Sequence, residues 1–312
     1  MKQGNNAPAI RRTSQAGHAG KEKRMFHLMM LPGMIMLFLF TFVPLFGSLM
    51  AFQNYVPARG IFGSKWVGLE NFKFIFSLPD SRQVFVNTLV IAFAKLVLNI
   101  IVPVLFAILL NEITSKIFKR TFQTIVYLPH FLSWVVLATV VTNMFSLTGP
   151  FNAVISAVGG TPIQFLADNN WFRKVIVATD VWKEFGYNSV VYLAALTSID
   201  LGLYEAASID GANRFEQTLH ITLPSLMPTV ILMTALNLGN ILNAGFDQVF
   251  NLYNPIVYET ADIIDTYVYR IGMVERQYSI GTAVGLLKSV ISFILIMGAN
   301  KTAKKLTGSG IF

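Results

Sequence analysis

Leu203-Tyr204-Glu205-Ala206-Ala207-Ser208-Ile209-Asp210-Gly211-Ala212-Asn213, with Ile221-Thr222-Leu223-Pro224 following, is the stretch on which the reading of this chain turns. Local physical chemistry divides it into two short helices. Asp200 can cap the start of the first with its carboxylate, and Gly211 can end it where a left-handed backbone is needed. Asn213 and Glu216 have the spacing of a capping box and can start the second. Pro224 and Pro228 then mark the entry to a further apolar helix, since proline fits a first helical turn. The adjacent Ala206 and Ala207 would let another chain approach closely, and Glu205 offers a charge to a basic partner. Two readings stay open on these grounds: a solvated amphipathic loop helix, or a docking helix for a partner protein.

Outward from this loop the composition excludes a soluble domain. The chain has 312 residues, of which 54% are hydrophobic and only 13% charged, roughly half the charged share of a globular protein. It holds 26 Phe and no Cys, so disulfides, thiolate metal sites and cysteine nucleophiles are excluded. A spanning helix needs about 20 apolar residues. Six such runs occur, at about 26–52, 84–110, 122–145, 175–196, 227–249 and 280–299, flanked by polar tails at 1–24 and 306–312. The first is too long and too rich in Phe and Met for a cleaved signal peptide. The fourth and fifth are weakened by Asp180, Lys183 and Glu184, and by Asn237, Asn240, Asn243 and Asp247.

Six spans place both termini on one side. With the N-terminus cytoplasmic, inside segments hold 13 Lys and Arg against 8 outside, most of the excess lying in the N-terminal tail. The bias favours that orientation. The net charge of +8 is then chiefly a topogenic signal, and nucleic acid is not expected as a partner. One inside loop breaks the rule: 197–224 carries Asp200, Glu205, Asp210 and Glu216 against the single Arg214. Such a loop contributes nothing to orientation and points to another task.

The spacing Glu-Ala-Ala, three residues, Gly, nine residues, Ile-x-Leu-Pro resembles the EAA loop of bacterial ATP-binding-cassette importer permeases, with Glu205, Ala206, Ala207, Gly211, Ile221, Leu223 and Pro224 all in register. Trp66-Val67-Gly68-Leu69-Glu70-Asn71-Phe72, Asn87-Thr88, Arg120-Thr121 and Tyr127-Leu128-Pro129 are similar to segments of the sugar-type members. Asp265-Thr266-Tyr267-Val268-Tyr269-Arg270 with Gln277-Tyr278-Ser279 looks like those assigned to oligo- or polysaccharide uptake. The resemblance covers nearly the whole chain after residue 25. It implies an all-α, six-span permease of the type I (MetI-like) fold, similar to the maltose-system membrane subunits, with 25–305 as the permease domain and 200–224 as the coupling loop. Glu205 to Gly211, Asp210 included, would seat in an ATP-binding subunit, and Ile221, Leu223 and Pro224 would brace that helix. The implied partners are a second homologous permease, two cytoplasmic ATP-binding subunits, an extracytoplasmic solute-binding protein, membrane lipid and a sugar substrate. The implied location is the bacterial cell membrane, multi-pass, with both termini cytoplasmic.

Chemistry within the chain itself is not expected. Gly285-Leu286-Leu287-Lys288-Ser289 lacks the Gly-Lys pair of a phosphate-binding loop, and Gly281 with Gly285 fits close helix packing instead. His18, His27, His130 and His220 lack metal-ligand spacing. No cofactor is expected on this chain; ATP and Mg belong to the partner subunits. Ionisable groups at membrane depth must pair or face water. Asp180 and Lys183, three apart, can pair on one helical face, and Lys288 either lines a cavity or pairs across helices. Asn237, Asn240 and Asn243, with Asp247 beyond, form a polar ridge that either bonds neighbouring helices or offers amides to sugar hydroxyls. Trp182, Tyr187 and Tyr192 could stack on sugar rings, or pack and anchor. Competing readings are an ion-coupled secondary transporter using Asp247, Lys288 or the Asp180 cluster, a permease for a non-sugar solute, and a membrane-embedded enzyme for which no convergent catalytic set can be assembled.

Overall fold

Backbone buried in hydrocarbon must satisfy its own hydrogen bonds, which leaves the apolar runs of this chain little choice but helix. The computed structural model describes residues 15–239 and 241–307. Of the expected polar tails, residues 1–14 and 308–312 lie outside these bounds, as does Asn240.

Helix α1 (Gln15–Leu37) starts inside the expected polar tail and continues through a π turn (Phe38–Phe42) into a 3-10 stretch (Phe46–Phe52). A small hairpin follows, in which β1 (Gln53–Asn54) pairs antiparallel with β2 (Lys65–Trp66). Next come α2 (Glu70–Ser77), the long α3 (Pro79–Asn111), α4 (Lys116–Tyr127), α5 (Trp134–Met144) and α6 (Pro150–Ala157). The 29-residue α7 (Asn169–Thr197) leads into α8 (Leu201–Ile209) and α9 (Arg214–Gln217). A π turn (Thr218–Thr222) joins α9 to α10 (Leu223–Leu238). The chain closes with α11 (Phe246–Leu252), α12 (Tyr258–Ala261), α13 (Ile264–Tyr269) and α14 (Tyr278–Thr307).

Four stretches are each long and apolar enough to cross a membrane: Arg24–Phe52, Pro79–Asn111, Arg214–Leu238 and Tyr278–Gly298. The count reaches six when two bent helix pairs are each taken as one span. The fold is thus the expected all-α, multi-pass one, with three corrections to its spans. The third span, expected as one run over 122–145, bends by 107° between Phe131 and Trp134. Pro129 opens a 3-10 turn there, and Ser133 caps α5 through Val136 N–H. The fourth span is longer than 175–196 and turns by 69° into α8. The fifth, expected over 227–249, stops at Leu238 and helix resumes only at Phe246. Gly239, Asn243 and Gly245 are poor helix formers, and Gly245 takes the left-handed φ of 93°. The amide ridge therefore does not lie on one helix.

Helices α3 and α7 form the central pair. Ile91, Ala138, Val141, Phe172, Ile176, Val249 and Val257 make one core cluster, while Val104, Ala107, Tyr192, Leu196 and Leu226 make another further along the same pair. A third joins Ala51, Ile75 and Val84 to Tyr267, Ile271 and Val284. Among the described residues the first span meets this body chiefly at its C-terminal end, where Ala51 and Phe52 pack. Its residues from Met25 to Phe46 are exposed almost throughout, as a helix facing lipid would be. Of the two glycines expected at a close packing, Gly281 sits against Gly272, where an added Cβ would come within 2.8 Å of the Gly272 Cα. Gly285 has nothing within 4 Å.

Candidate functional site

The loop after α7 is held by its own hydrogen bonds. Asp200 Oδ1 accepts from Gly202 N–H at 2.9 Å and starts α8. At the far end Gly211 takes φ 84°, Gly211 N–H donates to Ser208 O and Ala212 N–H to Ala207 O at 2.9 Å. This pair of bonds is a Schellman termination. Asn213 and Glu216 form the reciprocal capping box, with Asn213 N–H donating to Glu216 Oε2 at 2.7 Å and Glu216 N–H to Asn213 Oδ1 at 3.0 Å. All three features were legible in the sequence because each involves residues within five positions.

Four side chains that fix the loop were not. Tyr204 Oη lies 2.9 Å from Thr222 Oγ1, and Gln217 Nε2 donates to Ser208 Oγ at 2.9 Å and to Ala212 O at 3.1 Å. Gln217 and Thr222 are buried. These bonds clamp α8 onto the π turn that contains Ile221 and begins α10 with Leu223 and Pro224. Much of α8 is bare: Glu205, Ala206 and Asp210 are exposed, Ala207 is half-buried, and Leu201, Leu203 and Ile209, with Phe215 of α9, stand in the open at 73%, 51%, 85% and 75% exposure. Four large apolar side chains are thus left in the open on one loop.

Within the membrane body, α3, α7 and the break in the fifth span enclose a cavity of about 230 Å³. Asn99, Asp180, Asn188, Asn237, Asn243 and Lys95 line it. Asp180 does not pair with Lys183 as the spacing suggested; its Oδ1 lies 2.9 Å from Lys95 Nζ on α3. Lys183 instead binds Glu184 Oε1 at 2.9 Å and the His130 carbonyl at 2.8 Å, and Glu184 Oε2 holds His130 Nδ1 at 2.6 Å. Lys95 Nζ also donates to Ala244 O at 2.8 Å and Gln248 Oε1 at 2.5 Å. Gln248, fully buried, donates in turn to Ile176 O and Thr179 Oγ1 on α7. Lys95 is therefore the rivet joining α3, α7 and the far side of the break, where α11 begins. Gly245 is required beside it, since a Cβ there would sit 2.8 Å from Nζ.

A second cavity of about 530 Å³ shares Asn243 and is bounded by Phe246, Asp265, Lys288 and Ser292. Lys288 satisfies both of its expected alternatives: it lines this cavity and pairs with Asp265 Oδ1 at 2.5 Å. Asn237 lines the first cavity, Lys288 the second, and Asn243 both. Asp247 is not, being exposed and outside both cavities. Trp182 lines neither, Tyr187 lies flat on His130 with ring centroids 3.9 Å apart, and Tyr192 is core. Asn99 and Asn188 were missed. Asn99 lies one helical turn from Lys95, a spacing that places both on one face; Asn188 carried no such signal.

Beyond the spans, Arg270 bonds Asp262, which also accepts from Thr266 Oγ1 at 2.7 Å. Burial pushes the Asp262 carboxyl above its usual range, against the opposing pull of those two bonds. Arg173 reaches Asn87 Oδ1 and Thr260 O, tying the outer ends of α3, α7 and α12.

The family model described as binding-protein-dependent transport system inner membrane component matches residues 99–304. The chain is 42% identical over 293 residues to Protein LplB of Bacillus subtilis (strain 168), covering 94% of this chain and 92% of that protein. It is 41% identical over 292 residues to the polygalacturonan/rhamnogalacturonan transport system permease protein YteP of the same organism, covering 93% and 91%. Among solved structures, a chain of a bacterial ABC transporter involved in the import of the acidic polysaccharide alginate superposes with a TM-score of 0.85 at 36% identity. That match covers 94% of this chain and 100% of the other.

Proposed function

The chain belongs to the family of binding-protein-dependent transport system inner membrane components, and from that premise we propose that it is the permease subunit of an ATP-driven importer for an oligosaccharide. It works beside a second homologous permease, with two ATP-binding subunits on the cytoplasmic side and a solute-binding protein outside. Both termini are cytoplasmic, and the setting is a bacterial plasma membrane. The chain hydrolyses nothing itself; ATP and Mg are used by the partner subunits.

The observation that carries the coupling role is α8: a helix locked at both ends and clamped to the turn that begins α10, yet leaving Leu201, Leu203 and Ile209 exposed, as is Phe215 on α9. Such a surface suits a groove in an ATP-binding subunit, as amphipathic helices suit apolar grooves elsewhere. Closure of those subunits would then move α8 as a unit, and through Tyr204–Thr222 the start of α10. Support for a sugar comes from the amide-lined cavity and from relatives whose names specify polysaccharides. A volume of about 230 Å³ falls below the roughly 300–1,000 Å³ of complete ligand pockets. A paired subunit supplying the opposite wall would account for the difference.

The test is uptake by the assembled importer in proteoliposomes, with Glu205→Ala and Ile209→Asp in this chain. Both variants should lower ATP-driven oligosaccharide uptake and reduce co-purification of the ATP-binding subunit. Undiminished uptake with no ATPase ever co-purifying would overturn the importer reading. Uptake that collapses on dissipating an ion gradient, with ATP intact, would favour ion coupling instead.

A further inference from the structure

Resting on the carbohydrate reading above, we infer that the cavity at the Lys95–Asp180 pair reads hydroxyl groups and takes an uncharged saccharide in preference to one bearing carboxylates. The first ground is the charge of the lining. Lys95 has three donors, and they are spent on Asp180 Oδ1, Ala244 O and Gln248 Oε1 at 2.9, 2.8 and 2.5 Å. Lys288, the cation of the adjoining cavity, is neutralised by Asp265 at 2.5 Å. Each positive charge among the described lining residues thus already has its carboxylate. An arriving uronate would gain no donor from Lys95 without breaking that cluster, and it would meet Asp180 as a like charge.

The second ground is the amide lining. Asn99 Nδ2 is committed to Asp180 Oδ2 at 2.9 Å, and its Oδ1 is buried. The amides left to a ligand are those of half-buried Asn188 and exposed Asn237 and Asn243, which line the same cavity. A sugar hydroxyl can both donate to and accept from these amides, whereas a carboxylate can only accept. Asp180 is therefore a specificity-determining residue: it cancels Lys95 and is itself held by Asn99.

The experiment measures binding to the purified whole importer without its solute-binding protein, so that the membrane cavity alone is read. Saturation-transfer NMR compares matched tetrasaccharides, an oligogalactoside with an oligogalacturonide and an oligomannoside with an oligomannuronide. The neutral member of at least one pair should bind about tenfold tighter than its acidic counterpart, the discrimination of about one charge-assisted hydrogen bond. Asp180→Asn, which releases the Lys95 charge, should shift the ratio about tenfold toward the acidic sugar. Equal or tighter binding of the acidic members to the wild type overturns the inference and leaves the carbohydrate reading standing. Binding of no saccharide overturns the inference as well, and ATP-driven uptake of the same sugars then decides separately whether the carbohydrate reading falls. If the Asp180→Asn complex fails to assemble, the wild-type ratio is decisive by itself.

Discussion

Gly211 and Gly281 carry opposite demands on the same residue type, and each can be tested by one methyl group. At Gly211 there is space but the wrong backbone: φ is 84° and an added Cβ meets nothing within 4 Å. Gly211→Ala should therefore cost about 1 kcal/mol of local helix termination. Its expected effect is weaker docking of the ATP-binding subunit at unchanged expression, read by co-purification. At Gly281 the backbone is ordinary helix but the space is gone, with Gly272 Cα 2.8 Å from the added Cβ. Gly281→Ala should lower the melting temperature of the detergent-solubilised importer, while Gly285→Ala, four residues on and facing open space, should leave it unchanged. The left-handed role of Gly211 could be read from sequence because a helix end is a local event. That of Gly245 could not, since its partner Lys95 is on another helix and only folding brings the two together.

Between residue and molecule, the elements depart from their sequence outline at the breaks. Hydropathy averages over a window and cannot see a turn within an apolar run, so 122–145 and 227–249 read as continuous. Ser133, Gly239 and Gly245 were visible as caps or weak helix formers, yet tertiary contacts decide whether such residues interrupt a span. At the fifth span they do: Lys95 on α3 donates to Ala244 O within the interruption, and Gln248, just after it, donates to Ile176 O on α7. A substitution that strands one charge of this cluster should be costly, and removing both should not. Lys95→Met is expected to destabilise the assembled importer by about 2 kcal/mol. That is less than the ~3–5 for a fully buried pair, because Asp180 borders a cavity open to water. The double change Lys95→Met with Asp180→Leu should recover most of the loss, as thermal unfolding of the purified complex would report. No recovery would mean that the hydrogen bonds to Ala244 and Gln248, rather than the unpaired carboxylate, dominate.

At the scale of the whole molecule, two arrangements stand out: a first span packed on the body chiefly at its C-terminal end, and a loop helix that hangs from two spans at once. Loosening the second should separate ATP hydrolysis from transport. Tyr204→Phe removes one hydrogen bond and Gln217→Leu two, each worth about 0.5–1.5 kcal/mol, without touching the exposed residues of α8. Variants carrying both should retain the ATP-binding subunit and its ATPase activity while uptake falls, measured as sugar delivered per ATP consumed. A ratio equal to that of the wild type would show that the clamp is dispensable. The geometry also fixes a mechanical scale. The five residue steps from Tyr204 to Ile209 make the far part of α8 a rigid arm about 8 Å long, pivoted where Tyr204 meets Thr222. Each 10° of rotation moves its far end by only about 1.3 Å, so a few ångströms of motion in a bound subunit translate into a tilt of tens of degrees at the root of α10. Short arms of this kind exchange small displacements for large angles, and they fail by slack rather than by breakage.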